Sequence, residues 1–404
     1  MGDVQQFGAI VLVAATALVV AVFTTGVARR LPLPAPAIFL AAAAVASDLY
    51  PRLYGELSIH TVSRIGVVAL IVILFDGGSG IGWTRLRSSL GPVVTLGVVG
   101  TFLTAGAIAV VAHYALGLAW LTAGLIGAAV APTDPAVMFS LIGDHDIGGR
   151  AGTVLEGESG ANDPVGIALV IGLLDLARTP GGSFTIVVSE FALEMVVGLA
   201  VGLAAGYALR RLLPRLTALE GAPAPLLTLA LAGCVYGIAT LLGGSGFLAV
   251  FVAGLAIGDT ELPHQGATEA FRAPLASLAE IVVFVALGMT VRLHTLTASG
   301  IWTDGLVIAL ALALVVRPAV TLALLAPTRM PHPERRFVAW AGLRGAVPIL
   351  LAAFTVLEHV ASSERIYGIV FVVVLVSVVV QGSTVSLVAR ALGVQIRPGA
   401  GESA

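Results

Sequence analysis

Thirteen apolar stretches follow one another along this chain with little that is polar between them. They lie near residues 7–28, 34–48, 64–80, 89–115, 119–142, 151–177, 184–211, 224–242, 245–259, 274–292, 302–325, 335–357 and 365–391. About 20 mostly apolar residues make a helix that spans the hydrocarbon core of a bilayer. Backbone polar groups in lipid must be satisfied within the chain, so such a succession dictates a bundle of helices. Only 11% of the 404 residues are charged, against roughly 25% in a soluble domain, and no stretch is polar enough for a separate soluble unit. Residues 1–392 therefore read as one all-α membrane domain with about thirteen crossings, followed by a short polar tail at 393–404. The first run lacks a basic region ahead of it and reads as a retained helix, not a cleaved signal. Cys234, the sole cysteine, excludes an internal disulfide and reads as a small buried hydrophobe.

Arginine placement tests the number of crossings. All 21 basic residues are arginines. With an odd count and the N-terminus outside, one set of loops plus the tail holds 14 of them and the other set holds 5, leaving Arg317 and Arg344 within the apolar stretches. That is the bias of the positive-inside rule, and it predicts a multi-pass protein of the cell membrane with a cytoplasmic C-terminus. A net charge of −2 offers nothing to nucleic acid.

Two crossings look broken. The fifth reads Ala131-Pro132-Thr133-Asp134-Pro135 in mid-run, and the twelfth reads Gly342-Leu343-Arg344-Gly345-Ala346-Val347-Pro348. They are seven crossings apart, so they traverse the membrane in opposite directions. That offset marks inverted-topology repeats whose discontinuous helices meet at the midplane and form a site.

Most chemistry is concentrated in Glu156-Gly157-Glu158-Ser159-Gly160-Ala161-Asn162-Asp163-Pro164. An ionisable group at the bilayer centre costs at least about 2.5–3.5 kcal/mol, so Glu158 and Asp163 need partners or water. Burial disfavours the charged form of a carboxylate, and nearby cations and donors favour it. A carboxylate balanced between the two can hold a proton or a metal ion. Asp163-Pro164 and Asp134-Pro135 also fit a plainer reading, an N-cap followed by proline at the first helical position. Two Asp-Pro breaks in successive crossings weaken that reading. Thr133, Asp134, Ser159, Asn162 and Asp163 offer the oxygen ligands that hard cations prefer.

With these pieces in place, the sequence resembles the cation:proton antiporter-1 family, the NhaP-type antiporters, and within it the CvrA-like potassium/proton branch. The matching motifs are Leu74-Phe75-Asp76-Gly77-Gly78, Leu90-Gly91-Pro92, Thr133-Asp134-Pro135, Glu158 to Pro164, Gly246-Phe247-Leu248-Ala249-Val250, Gly342 to Pro348 and Gln381-Gly382-Ser383-Thr384. The resemblance implies exchange of K⁺ or Na⁺ for H⁺, with Asp163 binding cation and proton in turn. Thr133 and Ser159 would lend oxygens, Asp134 and Asp76 would shape the field at the edge, and Asn162 marks the electroneutral subfamily. Glu158 and Arg344 would form a bracing ion pair. Glu280 departs from the branch, which often carries an amide there, and reads as a structural group behind the site; Arg317, ahead of Pro318, either pairs in the core behind the site or snorkels to the surface. The resemblance also implies a core bundle near 64–177 and 274–391, scaffold helices near 7–48 and 184–259, and a homodimer. No cofactor is implied, and no metal beyond the transported alkali ion. Members of the CvrA-like branch usually continue into a cytoplasmic regulatory domain, and the short tail implies that this domain is either absent or removed. Thr133-Asp134-Pro135 looks like sodium-type members and Ala136 to Leu141 like the potassium branch, so the preferred cation stays open. An organic-acid symporter on the same fold is the alternative. An intramembrane protease is not, because its serine needs a histidine base within the membrane and all seven histidines fall in loops or at helix ends.

Overall fold

In the computed structural model the described residues are 34–50, 58–134, 145–147, 149–179, 182–217, 224–260, 265–394 and 396–398. The predicted first crossing at 7–28 lies outside them. Each of the other twelve stretches holds helix among its described residues. In chain order they are α1 (Ala35–Leu49), α2 (Ile59–Ile81), the short α3 (Trp83–Arg87), α4 (Leu90–Leu116), α5 (Trp120–Val130) and α6 (Ala151–Arg178). There follow α7 (Thr185–Thr217), α8 (Ala224–Leu241), α9 (Gly246–Gly258), α10 (Gln265–Gly288), the short α11 (Leu293–Ala298) and α12 (Ile301–Leu325). The series ends with α13 (His332–Ala341), α14 (Ala346–Leu357) and α15 (Ser363–Ala391). Among the described residues eight spans are long and apolar enough to cross a bilayer, α13 and α14 together forming one, and α1, α5, α8 and α9 are shorter apolar helices.

Contacts between helix ends test the predicted alternation. Thr84 bonds to Asp259, Arg150 to Ser88 and Glu334. At the opposite ends, Asp48 meets His294, Arg178 meets Glu358, and Arg365 meets Asp304. Each of these joins loops that an alternating chain puts on one side. The bundle is not wholly helical: β1 (His145–Ile147) pairs antiparallel with β2 (Ile396–Pro398), so the start of the tail is tied back to the segment ahead of α6.

The second predicted break is present on both sides; of the first, the near side is present and residues from 135 on lie outside the described ones. α5 ends at Val130 and the chain runs non-helically through Pro132, Thr133 and Asp134, while α13 ends at Ala341 and α14 resumes at Ala346. The breaks touch, with the Asp134 amide donating to Leu343 O at 2.8 Å. A second repeat-related pair was not foreseen. α4 contains a π-helical turn at Thr95–Gly100, and α12, seven crossings later, contains one at Leu312–Val316. A third, Ser377–Gln381, lies in α15. Such turns are frequent at functional sites. The first packs on α6, Arg317 directly follows the second, and the third accepts the Arg344 amide at Ser377.

The core gathers around α6 and the α13–α14 pair, the most enclosed spans. Small residues let neighbours in: Phe251 lies over Gly160, Pro132 over Gly166, and Val93 and Leu86 over Gly157. α7 is the opposite case. Leu193, Val196, Leu199, Leu203 and Tyr207 are exposed along it, which fits a helix facing lipid. Cys234 is exposed on α8, against the expectation of burial.

Three further sequence expectations need correction. Asp163-Pro164 is not a break: α6 runs unbroken from Ala151 to Arg178 with Pro164 inside it. Proline removes one hydrogen bond and its ring crowds the carbonyl four residues back, a local cost that helices packed within a membrane bundle tolerate. Nor does the tenth crossing start at Pro274. α10 begins at Gln265 with Pro274 inside, which brings Arg272, counted above as a loop arginine, into the helix. The partner of Glu158 is the third.

Candidate ion-binding site

α6 carries Ser159 and Asp163 one turn apart, and residues four apart share a helix face. Glu158 and Asn162 form a second such pair. All four are buried, at 6%, 5%, 1% and 1% exposure for Ser159, Asp163, Glu158 and Asn162. Thr133, 3% exposed, comes to them from the first break. Asn162 Nδ2 donates to Thr133 Oγ1 at 2.8 Å, so the amide ties the break to α6. Oδ1 of Asp163 and Oδ1 of Asn162 are buried and meet no hydrogen-bond donor among the described residues. A buried acceptor left this way costs roughly 1–3 kcal/mol, a cost that a proton on the carboxylate or a coordinated cation removes. The donor set is all oxygen, as an alkali cation requires.

Asp134 lies within electrostatic reach of both Asp163 and Glu280. Its carboxylate is packed against Gly345, where a β-carbon would overlap it. Gly345 immediately precedes α14, so Asp134 offsets the positive end of that helix's dipole. Arg344 follows the C-terminal end of α13 and offsets its negative end in the same way. The crossing breaks thus supply one charge of each sign from the chain itself. Gly345→Ala is expected to drive Asp134 from this position and to lower transport well before it lowers folded yield, as read by exchange rates and melting of the same purified sample.

The bracing ion pair is present with a different partner. Both oxygens of Glu158 are held by Arg317, through Nη1 to Oε1 and through Nη2 to Oε2, the latter at 2.9 Å. The expected Arg344 forms no such pair. Its Nη1 donates to Gly342 O at 3.0 Å and its amide to Ser377 Oγ at 2.9 Å. Nε and Nη2 of Arg344 have no hydrogen-bond partner among the described residues. Arg317 reaches Glu158 because it directly follows the π turn of α12 and because Gly342 leaves room for its guanidinium. Arg344 still feels the field of Glu158 and that of Arg317, so one carboxylate serves two guanidiniums.

Asp76, expected at the site's edge, lies on α2 and pairs with Arg272 of α10, Nε to Oδ1 at 2.5 Å. Glu280, also on α10, has its Oε1 buried with no hydrogen-bond partner among the described residues. Sequence reasoning missed Arg272 and misassigned Arg317. Arg272 stands two residues before Pro274, a cue that reads as a helix start and hid its position inside a helix.

Residues 14–391 match the family described as sodium/hydrogen exchanger, transmembrane. The chain belongs to that family. It is 35% identical to a K⁺/H⁺ antiporter NhaP of Alkalimonas amylolytica over 82% of this chain and 58% of that one. It is 31% identical to K⁺/H⁺ antiporter NhaP2 of Shewanella oneidensis over 98% of this chain and 69% of that one. The chain therefore spans between about half and about two thirds of the length of these relatives. The fold matches that of the sodium proton antiporter MjNhaP1 from Methanocaldococcus jannaschii at pH 8, with a TM-score of 0.79 and 22% identity over 91% of this chain and 97% of that one.

Proposed function

We propose that this chain exchanges a monovalent alkali cation, K⁺ or Na⁺, for a proton, one for one, at Asp163. The observation that carries the reading is the buried Asp163 carboxylate with an unpaired oxygen, set beside Ser159, Asn162 and Thr133 where a helix is broken. Cation and proton would exclude each other on that oxygen. If the emptied carboxylate cannot cross to the other side, each transit carries one or the other, and exchange follows. The names of the NhaP relatives support K⁺, and that of the solved neighbour supports Na⁺. In this scheme α2 to α6 and α10 to α15 move as a core against α1 and α7 to α9, a second copy of the chain steadies the scaffold, and the C-terminus is cytoplasmic.

Asn162 contributes no charge, so the site is left with one carboxylate to titrate per cycle. The test is proton movement on addition of K⁺ or Na⁺ to proteoliposomes, with a pH dye inside and a potential dye outside. Antiport without steady charge movement is expected, and charge movement at each turnover would contradict the one-for-one stoichiometry. Glu280 is the group that could alter that result. We read it as structural, and Glu280→Gln is expected to keep the exchange electroneutral. A change in charge moved per turnover in that variant would show that Glu280 titrates in the cycle.

A further inference from the structure

One ion pair within the bundle is neither sealed in the core nor at a helix end. Arg272 stands eight residues into α10, and its partner Asp76 lies within α2; both helices have the length and apolarity of membrane spans. The two side chains are 17% and 26% exposed, whereas Glu158 and Arg317 are 1% and 4% exposed. Arg272 lines a cleft with Val72, Phe75, Thr228, Thr268 and Phe271, so α2, α8 and α10 wall it on three sides. α2, the helix that carries Asp76, also packs on α6. Two residues on, Gly78 packs against Phe251, and the ring of Phe251 lies over Gly160, three residues before Asp163. A partly exposed carboxylate whose partner lines a cleft between membrane spans is a natural waypoint for a cation. Here a guanidinium already occupies it.

We propose that Arg272 is a tethered competitor of the transported cation for Asp76. It neutralises a carboxylate ligand on the way to Asp163, and a cation arriving through the cleft must displace it. An arriving cation, or a movement of α10 against α2, releases Arg272. Partly exposed pairs are weak enough to be displaced, unlike a sealed one. The arginine bias places this end of α2 towards the cytoplasm, which makes Arg272 a determinant of apparent affinity from that side. This inference rests on the antiport reading.

The plainer role for the pair is a clamp between α2 and α10. Cation dependence of exchange in proteoliposomes separates the two. Arg272→Gln is expected to lower the KM for K⁺ or Na⁺ by roughly three- to tenfold, Arg272→Lys to keep the native KM, and Asp76→Asn added to Arg272→Gln to remove the gain. Asp76→Asn alone, with the guanidinium left in the cleft, is expected to raise KM. That variant also serves if Arg272→Gln does not fold. Native KM in both single variants, with lowered melting temperature, would establish the clamp and overturn the proposal while antiport stands. Absence of cation-driven proton movement in the native protein would remove both.

Discussion

Asp163→Asn is expected to reduce exchange to the leak of protein-free vesicles, for both K⁺ and Na⁺. The amide keeps the size of the side chain, so packing against its neighbours on α6 survives. It can neither carry the transported proton nor present a full negative charge to a cation. At an effective dielectric constant of about 20, a unit charge about 4 Å from a cation is worth ~4 kcal/mol, or about three powers of ten in affinity. The variant should therefore fold as the native protein does, and yet give no response on cation addition at any concentration short of precipitation. The native protein carries the companion signature. With one site for two ligands, the cation KM should rise about tenfold for each unit that the pH falls below the site's proton affinity, while the maximal rate at saturating cation stays level. A maximal rate that falls with pH at constant KM would place the proton elsewhere, and full exchange by Asp163→Asn would remove Asp163 from the mechanism.

How far the site could be read from sequence follows from what each residue depends on. Asp163, Asn162 and Ser159 are set by spacing along one helix, and spacing is visible in a sequence. The two breaks are visible because proline and glycine interrupt long apolar runs, and their meeting follows from their odd separation. The Asp134 to Leu343 hydrogen bond is its physical form. Partnerships across the bundle are another matter. Arg317 and Arg344 are both arginines within apolar runs, and only the π turn of α12 and the side-chain-free Gly342 decide which of them reaches Glu158. A π turn has no composition of its own. Proline misled twice for one reason: Pro164 and Pro274 each look like a helix start, yet both lie inside helices. Membrane helices tolerate an internal proline because their neighbours hold them in place, and those neighbours are not visible in a sequence. Exposure of Cys234 is likewise beyond sequence, because in a membrane an apolar residue suits the lipid face as well as the core.

Glu158 and Arg317 give the second large expectation, and the neighbouring Arg344 makes it asymmetric. Removing one partner of a sealed ion pair leaves a buried charge uncompensated, at a cost of about 3–5 kcal/mol. The two truncations do not leave the same residue of charge. Glu158→Ala strands two guanidiniums, Arg317 and Arg344, which already repel one another. Arg317→Ala leaves Glu158 with Arg344 close by, and two of that guanidinium's nitrogens are without a hydrogen-bond partner among the described residues. Arg344 can then take over part of the pairing. Folded yield, measured as the monodisperse fraction after extraction in detergent, should be lowest for Glu158→Ala, intermediate for Arg317→Ala and highest for the native chain. Adding Arg344→Ala to Arg317→Ala should bring yield down to the Glu158→Ala level, because it withdraws the substitute partner. Glu158→Ala combined with Arg317→Ala should recover part of the loss, since only one guanidinium then remains without its carboxylate. In all of these the cation KM of whatever folds should stay near native, because none of the three touches the Asp163 oxygen. Equal losses for the two single truncations, or a KM that moves while yield does not, would mean that the charges act on the transported ion and not on the register of the broken helices.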